Sequence, residues 1–554
     1  MKTDTPRAGR RFRADGVTKL LFFSLFAALV LLPLFRMLTN LSRESFDKVF
    51  GSPVIGEILQ NSLLSALAGT VISVLIAYLL ALAMQRTAIR GKAFFSVILV
   101  LPMLIPSVSH GMGLILLFGN NGILTRLLGL SSGIYGFPGI VCGSVLYAFP
   151  VAFIMLSDIL RYEDGAPYEA ATVLGIPRAR QFFRISLPFL ARPLVSVFFA
   201  AFTMILTDYG VPLMVGGRYK TLAIVMYQEV IGQLHFGEGS VYGLILLLPA
   251  VLAFLVDLFN RGAGNSAFVT RPPEPSRRPA PLILASFFVI AVSLFTLLPV
   301  VSFIILGFAE NYPTDLSFSF TNLGKVFAAD GGRYLVNSLV IAALTAALGT
   351  ALGFFTSYLT ARSRSPLSSL LHLVAITAMA VPGLVLGLSY VLLYKASAVY
   401  GTLVILIMVN AAHFIASPYL MMYNSFCKLN GNLEAVGETL GVGRVRMLFD
   451  VFLPQSAPTL LEMFSYFFVN SMMTISAVSF LANASTKPIS LMINQFEAQM
   501  QLENAAVVSL LILLVNLALK GAVALLKPAF LKKPSFLKKR RQKTFQRTQG
   551  AKKA

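Results

Sequence analysis

Residues 169–188 read EAATVLGIPRARQFFRISLP, and residues 434–454 read EAVGETLGVGRVRMLFDVFLP. Both stretches keep a central glycine, at least two arginines and a closing Leu-Pro, and both lie between long apolar segments. The chain therefore repeats one polar loop at matched places in two apolar halves. A loop duplicated in this way predicts docking of a soluble partner at two related sites.

The composition is that of a membrane protein. Of the 554 residues, 56% are hydrophobic and 12% are charged, and the mean hydropathy is +0.78, whereas soluble domains carry about 25% charged residues. The net charge of +22 comes from cations that flank apolar segments. That placement sets membrane orientation and attracts anionic lipid head groups, so we expect contact with membrane lipid and no nucleic-acid partner. Two cysteines, Cys142 and Cys427, predict neither a disulfide framework nor redox chemistry.

About twelve segments reach the roughly 20 apolar residues that a membrane-spanning helix needs. They predict an all-α, polytopic membrane fold, with helices centred near residues 27, 71, 104, 148, 200, 250, 294, 347, 381, 412, 470 and 515. With the N-terminus inside, 35 of the 45 Lys and Arg residues fall on the cytoplasmic side. This bias predicts that both termini are cytoplasmic.

The two halves are predicted to be parallel six-helix repeats. Several motifs recur 276 residues apart: Asn61-Ser62-Leu63 with Asn337-Ser338-Leu339, Pro106 with Pro382, and Gly111 with Gly387. Such repeats favour a central pathway between the halves. A Pro- and Arg-rich stretch separates them and is typical of an exposed linker. The predicted organisation is a first repeat over 1–260, a cytoplasmic linker over 261–281, a second repeat over 282–526 and a basic cytoplasmic tail over 527–554.

The first polar loop, residues 161–188, predicts two short helices at the membrane surface. Glu169 lies near the start of the first helix, where the helix dipole favours an acid. Gly175 is placed where that helix must end and turn, and Pro177 suits the first turn of the next helix. Small side chains at Ala170 and Ala171 let another protein's surface approach closely.

This loop resembles the loop of permease subunits of binding-protein-dependent ABC importers, which carry Glu-Ala-Ala, three residues, Gly, nine residues and Ile-x-Leu-Pro. In the first half the match covers every defining position: Glu169, Ala170, Ala171, Gly175, Ile185, Leu187 and Pro188. The second loop, residues 424–454, is looser; the positions that resemble the motif are Glu434, Gly441, Leu453 and Pro454. Alignment on Gly441 puts Ala435 opposite Glu169, so Glu434 is interpreted as the docking acid shifted by one position.

The resemblance implies that both loops couple the permease to ATP-binding cassette ATPase subunits, in two copies. It also implies an extracytoplasmic solute-binding protein and a place in a bacterial inner membrane. The sequence has no Gly-x-x-x-x-Gly-Lys-Ser/Thr loop for a nucleotide phosphate. We therefore expect ATP hydrolysis on a separate subunit, and neither a catalytic residue, a cofactor nor a resident metal in this chain.

The similarity of the fused two-half layout to permeases for ferric iron, thiamine and 2-aminoethylphosphonate leaves the cargo open, with ferric iron favoured. An ion-coupled secondary transporter is the alternative class. It typically places charges inside the helix bundle, and few occur in the apolar segments here.

Three residues are candidates for the transport pathway. His110 and His413 lie in apolar segments, where ionisable groups are costly and often functional. Asp208 lies near the outer end of the fifth predicted span and either lines the pathway or reaches the aqueous interface. A structural role stays the alternative for both histidines.

Overall fold

The computed structural model describes residues 6–129, 133–261, 274–312, 314–363 and 365–531. Fourteen α-helices occupy the first half of the described chain: α1 Pro6–Phe26, α2 Leu32–Leu38, α3 Arg43–Phe50, α4 Ile55–Arg86, α5 Lys92–Val100, α6 Ser107–Phe118, α7 Ile123–Leu128, α8 Phe137–Arg161, α9 Ala166–Val173, α10 Arg178–Gln181, α11 Leu187–Leu206, α12 Gly210–Val215, α13 Leu222–Tyr227 and α14 Phe236–Arg261. Short 3₁₀ or π turns join several of them: Ala27–Leu31, Leu101–Leu104, Phe182–Ser186 and Gln228–Gly232.

The second half follows the same plan. Its helices are α15 Pro279–Gly307, α16 Thr321–Ala328, α17 Gly331–Ala361, α18 Pro366–Thr377, α19 Gly383–Tyr394, α20 Leu403–Phe414, α21 Ala416–Cys427, α22 Leu433–Thr439, α23 Arg444–Met447, α24 Leu453–Gln455, α25 Ala457–Met473, α26 Ser490–Ala498 and α27 Leu502–Leu531. Short 3₁₀ or π turns lie at Ala378–Ala380 and Leu448–Phe452. Strands β1 Ala309–Asn311 and β2 Asp315–Phe318 form a small antiparallel hairpin after α15.

The all-α polytopic prediction is confirmed. Within the described residues, nine helices are long and apolar enough to cross a membrane, and two bent helix pairs raise the number to eleven. The remaining predicted segment, centred near residue 470, is α25, which has 17 residues. The segments predicted around 104 and 381 are interrupted rather than continuous, because the chain leaves the helical conformation just before Pro106 and Pro382.

The halves are interlocked through their first spans. Helices α1 and α2 of the first half pack on α18 and α19 of the second half, while α15 of the second half packs on α5 and α6 of the first half as well as on α27 of its own. The approach between α6 and α15 is close: a Cβ atom at Gly113 would lie 2.6 Å from the Cβ atom of Pro299. Each half therefore completes part of the other half's core.

The repeated Asn-Ser motif anchors the loop that follows the fifth span of its own half. The Ser62 hydroxyl oxygen accepts a hydrogen bond from the backbone N–H of Leu222 at 2.7 Å, and the Ser338 hydroxyl oxygen accepts one from Ile489, also at 2.7 Å. The neighbouring Asn61 amide donates to the Lys220 carbonyl oxygen at 3.3 Å, as Asn337 does to that of Lys487 at 3.2 Å. The duplicated motif thus makes the same contact twice.

The repeated glycines are sites of close helix approach. A Cβ atom at Gly111 would lie 2.6 Å from the Cβ atom of Met214. At Gly387 it would lie 2.7 Å from the carbonyl oxygen of Ala477. Only a hydrogen in place of the side chain leaves room for these contacts, so the two positions keep glycine for the same steric reason.

The predicted linker and tail fall partly outside the described residues. Residues 262–273 of the linker and 532–554 of the tail are in the undescribed part of the chain. The end of the linker pairs with the turn after α4, since the Ser276 N–H donates to the Arg86 carbonyl oxygen at 2.8 Å. Helix α15 begins at Pro279 and α27 continues to Leu531, so both helices extend a few residues past the predicted boundaries of 282 and 526.

Replacing Ser62 or Ser338 by alanine should destabilise the protein, because a buried backbone N–H loses its acceptor. We expect a loss of about 1–3 kcal/mol in the free energy of unfolding for each substitution. Ser96→Ala is the matched control, because the Ser96 hydroxyl only donates to Lys92 in its own helix. Thermal and denaturant unfolding of the detergent-purified protein measures the difference. Equal stability of all three variants would contradict this role of the motif.

Candidate functional site

The first loop contains the predicted helix, turn and second helix. Helix α9 ends at Val173, and Gly175 follows in the left-handed region at φ +67°. The N–H of Gly175 donates to the Thr172 carbonyl oxygen at 3.1 Å and that of Ile176 to the Ala171 carbonyl oxygen at 2.9 Å. These bonds satisfy the last carbonyls of α9 and fix the direction in which the chain leaves it.

The second loop has the same backbone geometry in spite of its looser sequence. Gly441 also has φ +67° and donates to the Glu438 carbonyl oxygen at 3.1 Å, and Val442 donates to the Gly437 carbonyl oxygen at 2.8 Å. In both loops a five-residue π turn, Phe182–Ser186 or Leu448–Phe452, then leads directly into the Leu-Pro pair. Because proline has no N–H to donate to the preceding turn, the helical hydrogen-bond pattern is irregular at the same place in both loops.

Apolar side chains project from both loops into the surroundings. In the first loop Val173 is 87% exposed and Leu174 75%, with Phe183 beyond the turn. In the second loop Leu440 is 73% exposed and Val445 72%. In both loops the exposed apolar side chains therefore lie on either side of the glycine turn.

The structure separates the residues of the motif. Glu169 and Ala170 are exposed, but Ala171 is buried, so the expectation that both alanines face an incoming surface is wrong for Ala171. The closing residues of the two motifs lie at the start of the next span, either exposed or half-buried: Ile185, Leu187 and Pro188 in the first loop, Leu453 and Pro454 in the second.

An arginine at the end of α4 holds the first loop from inside. The guanidinium of Arg86 binds the carboxylate of Glu163, which is buried, and lies 4.8 Å over the ring of Tyr168. The Tyr168 hydroxyl donates to the same carboxylate and lies 2.6 Å from the Ser186 hydroxyl oxygen. Burial, and then the hydrogen bond to Glu163, raise the pKa of Tyr168 to about 12, which keeps this hydroxyl a donor.

An arginine at the equivalent end of α17 holds the second loop. Arg362 binds Glu434 through two hydrogen bonds, Nε to Oε1 at 2.7 Å and Nη2 to Oε2 at 2.5 Å. It also donates to the carbonyl oxygens of Leu429 at 3.2 Å and Asn430 at 2.8 Å. The hydrogen bond to Glu434 raises the pKa of Arg362. The Glu434 side chain is 24% exposed and faces inward. This geometry does not support the interpretation of Glu434 as a docking acid.

Sequence reasoning missed both arginines. They share the offset of 276 residues that relates the Asn-Ser motifs, which is the signal that could have found them. Their partners are not at one common offset, because the acid lies before α9 in the first loop and inside α22 in the second. A search for repeated acid–base pairs therefore does not reveal them.

Residues of both halves line a cavity of about 350 Å³ at the centre of the structure. Asp208 and His413 are in its lining, one from each half, beside Pro106 and Pro382 at the two helix breaks. His110 is buried next to Tyr147 and is not among the lining residues. The carboxylate of Asp208 accepts hydrogen bonds from the N–H groups of Gly210 at 3.3 Å and Val211 at 2.9 Å, so it also caps α12.

The cavity lining is largely apolar, and its polar part is acidic and rich in hydroxyl groups. It includes the carboxylates of Asp208 and Asp257, and none of the described residues that line it is Lys or Arg. The other polar groups there are mainly hydroxyls and an amide, among them Ser107, Thr203, Ser417, Tyr466 and Asn470. The arrangement suits the passage of a positively charged or neutral solute.

Comparison with known proteins matches both halves to one family. The family model described as binding-protein-dependent transport system inner membrane component matches residues 69–263 and again residues 349–532. The chain is 26% identical over 467 residues to the ferric transport system permease protein FbpB of Actinobacillus pleuropneumoniae, covering 80% of this chain and 67% of that protein. It is 26% identical over 422 residues to the putative ferric transport system permease protein FbpB 1 of Haemophilus influenzae, covering 73% and 66%. The chain thus spans about two thirds of the length of these two relatives.

Shorter relatives match about one half of the chain. The molybdenum transport system permease protein ModB of Azotobacter vinelandii is 29% identical over 195 residues, which is 33% of this chain and 84% of that protein. A probable sulfate transport system permease protein, cysT of Prototheca wickerhamii, is 24% identical over 239 residues, which is 41% of this chain and 92% of that protein. The duplicated family match confirms the predicted two-half design.

Gly175→Val should loosen the first loop, because a β-branched residue is strained at φ +67° by about 1–3 kcal/mol. Gly175→Asn is the matched control, since asparagine tolerates the left-handed conformation. No other atom lies within 4 Å of the added Cβ position, so backbone strain rather than a clash separates the two variants. Amide hydrogen exchange at residues 174–176 should accelerate in the valine variant only. Exchange at the parent rate in both variants would contradict this account.

Proposed function

The chain belongs to the family of binding-protein-dependent transport system inner membrane components, and from this premise we propose that it is the permease of an ATP-driven importer of ferric iron. It is a multi-pass protein of the inner membrane, and its family name states that transport depends on a binding protein. The cargo, the ATPase and the number of ATPase copies are the parts that we propose.

The acidic cavity supports a cationic cargo over an oxyanion. A cation entering the low-dielectric interior is stabilised by the carboxylates of Asp208 and Asp257, which would repel sulfate, molybdate or a phosphonate. Carboxylate and hydroxyl oxygens are also the hard ligands that suit a highly charged metal ion. Three relatives are named for ferric or Fe(3+) transport, and together they cover most of the chain.

The cavity has the character of a passage rather than a tight site. In the described ranges, no group of three or more His, Cys, Asp or Glu side chains could hold a metal ion. Conduction requires binding that is weak enough for release. Two carboxylates, together with hydroxyl groups in a largely apolar lining, meet that requirement.

Two ATPase subunits would dock on the two loops. The exposed apolar residues Leu174 and Leu440 lie at equivalent places on the two loops, just before the glycine turn. Each would insert into a cleft of an ATPase subunit. Each loop is tied to the end of a long helix, α4 through Arg86 and α17 through Arg362. A displacement of the loop would therefore move the helix that packs against the cavity-lining spans, and the halves would rock to alternate access.

Reconstitution tests this function directly. The permease is placed in proteoliposomes with the ATPase and binding protein encoded beside it, and uptake of radioactive ferric iron, thiamine, phosphonate, sulfate and molybdate is measured with and without ATP. Iron uptake that needs ATP supports the proposal. Uptake of another solute alone replaces the cargo, and uptake driven by an ion gradient without ATP overturns the importer mechanism.

Asp208→Asn and Asp257→Asn should each slow iron uptake about tenfold, which corresponds to about 1.4 kcal/mol on the barrier. Asparagine keeps an oxygen that can accept the N–H groups at the start of α12, so the fold should persist. Asp158→Asn is the control, because Asp158 is exposed at the end of α8 and is not in the cavity lining. Initial uptake rates at equal ATPase occupancy give the comparison. Unchanged rates in both cavity variants would remove the electrostatic argument for iron.

A further inference from the structure

We propose that the two loops engage the ATPase unequally, because Glu434 is an internal strut that positions the second loop while Glu169 of the first loop faces the partner. This inference rests on the proposed function, in that the partner is the ATPase. The strut itself is a contact within the chain and can be tested without any partner.

The two arginines occupy equivalent places. Arg86 is the last residue of α4 and Arg362 follows the last residue of α17, and each reaches across to the loop of its own half. Each also lies over an aromatic ring of that loop, Arg86 over Tyr168 at 4.8 Å and Arg362 over Phe452 at 5.3 Å. In both halves the arginine therefore needs an acidic partner within the chain.

The acid that pairs with the arginine comes from a different position in each half. In the first loop the acid is Glu163, before α9, and Tyr168 on the helix supports it. Alignment of the glycine turns places Glu434 at the position of Tyr168, so the second loop binds its arginine from the helix itself. At the position of Glu163 stands Leu429, which contributes its carbonyl oxygen instead.

The outer faces of the loops differ as a result. The first loop presents Glu169 at an exposed position, where the second loop presents Ala435. The exposed acid on α22 is Glu438, three residues after Ala435 and thus about 4.5 Å further along the helix. A cleft with one fixed cationic group cannot match both placements equally.

A second charge difference supports the asymmetry. Arg184 in the first loop is replaced at the equivalent position by Asp450, which pairs with Arg446 at 3.1 Å. The first loop carries three arginines, whereas the second loop carries two arginines and an acid, Asp450, that pairs with one of them. Two identical ATPase subunits would therefore meet surfaces of different charge.

Charge reversal separates the two roles. Glu434→Arg should accelerate amide hydrogen exchange in residues 433–439 of the permease alone by about tenfold, because a largely desolvated arginine loses its partner. Glu434→Gln should stay closer to the parent rate, because its amide oxygen can still accept a hydrogen bond from the Arg362 guanidinium. Glu169→Arg is the matched control on the first loop; it should leave exchange in the permease alone unchanged.

Binding of the ATPase to the detergent-purified permease gives the second readout. Glu169→Arg should weaken binding about tenfold or more, since a buried charge contact becomes repulsive, while Glu434→Gln should bind like the parent. The proposal is overturned if Glu434→Arg leaves exchange unchanged, or if Glu434→Gln keeps the parent exchange rate but binds the ATPase as poorly as Glu169→Arg does. If the parent binds no ATPase, the proposed function fails. The hydrogen-exchange measurements on the permease alone would still show whether Glu434 positions the second loop.

Discussion

Each half depends on one arginine that ends its second membrane span and grips the loop between its fourth and fifth spans. The guanidinium satisfies a carboxylate and, in the second half, three backbone carbonyl groups as well. Such a group is costly to desolvate, so it is stable only when every partner is in place. The contact therefore makes the loop and the long helix a single mechanical body, and the surface loop cannot move without the helix that leads toward the cavity.

The two loops show that geometry persists where residues change. Ala171 and Gly437 are equivalent and both are buried, but the second position has no room for a methyl group, because a Cβ atom there would lie 2.0 Å from the Met447 sulfur. In the first loop the residue equivalent to Met447 is Gln181, whose amide donates to the Ile176 carbonyl oxygen at 2.8 Å. A larger residue on one element is compensated by a smaller one on its neighbour. The turn around each glycine is unchanged as a result.

Features that follow from local sequence were predictable, and contacts between distant residues were not. Apolar length predicted the all-α membrane fold, and Gly175 with Pro177 predicted the end of one helix and the start of the next. The breaks before Pro106 and Pro382 escaped because spanning helices tolerate proline. The contact of Glu434 with Arg362 was not predictable because the two residues lie 72 positions apart, and nothing in the loop itself says which way the side chain turns. Asp208 and His413 lie at the cavity, but their roles in transport stay predictions.

The exchange of first spans between the halves has a consequence for how the molecule is made. Helices α1 and α2 rest on α18 and α19, which the ribosome has not yet synthesised when the first two helices enter the bilayer. The leading helices must therefore wait, exposed to lipid, until the trailing half arrives to cover them. A single polypeptide shortens that wait, because the missing half is always tethered nearby at high effective concentration. The single polypeptide also ensures that each first half pairs with one second half. A permease with two copies of the same half is thereby avoided.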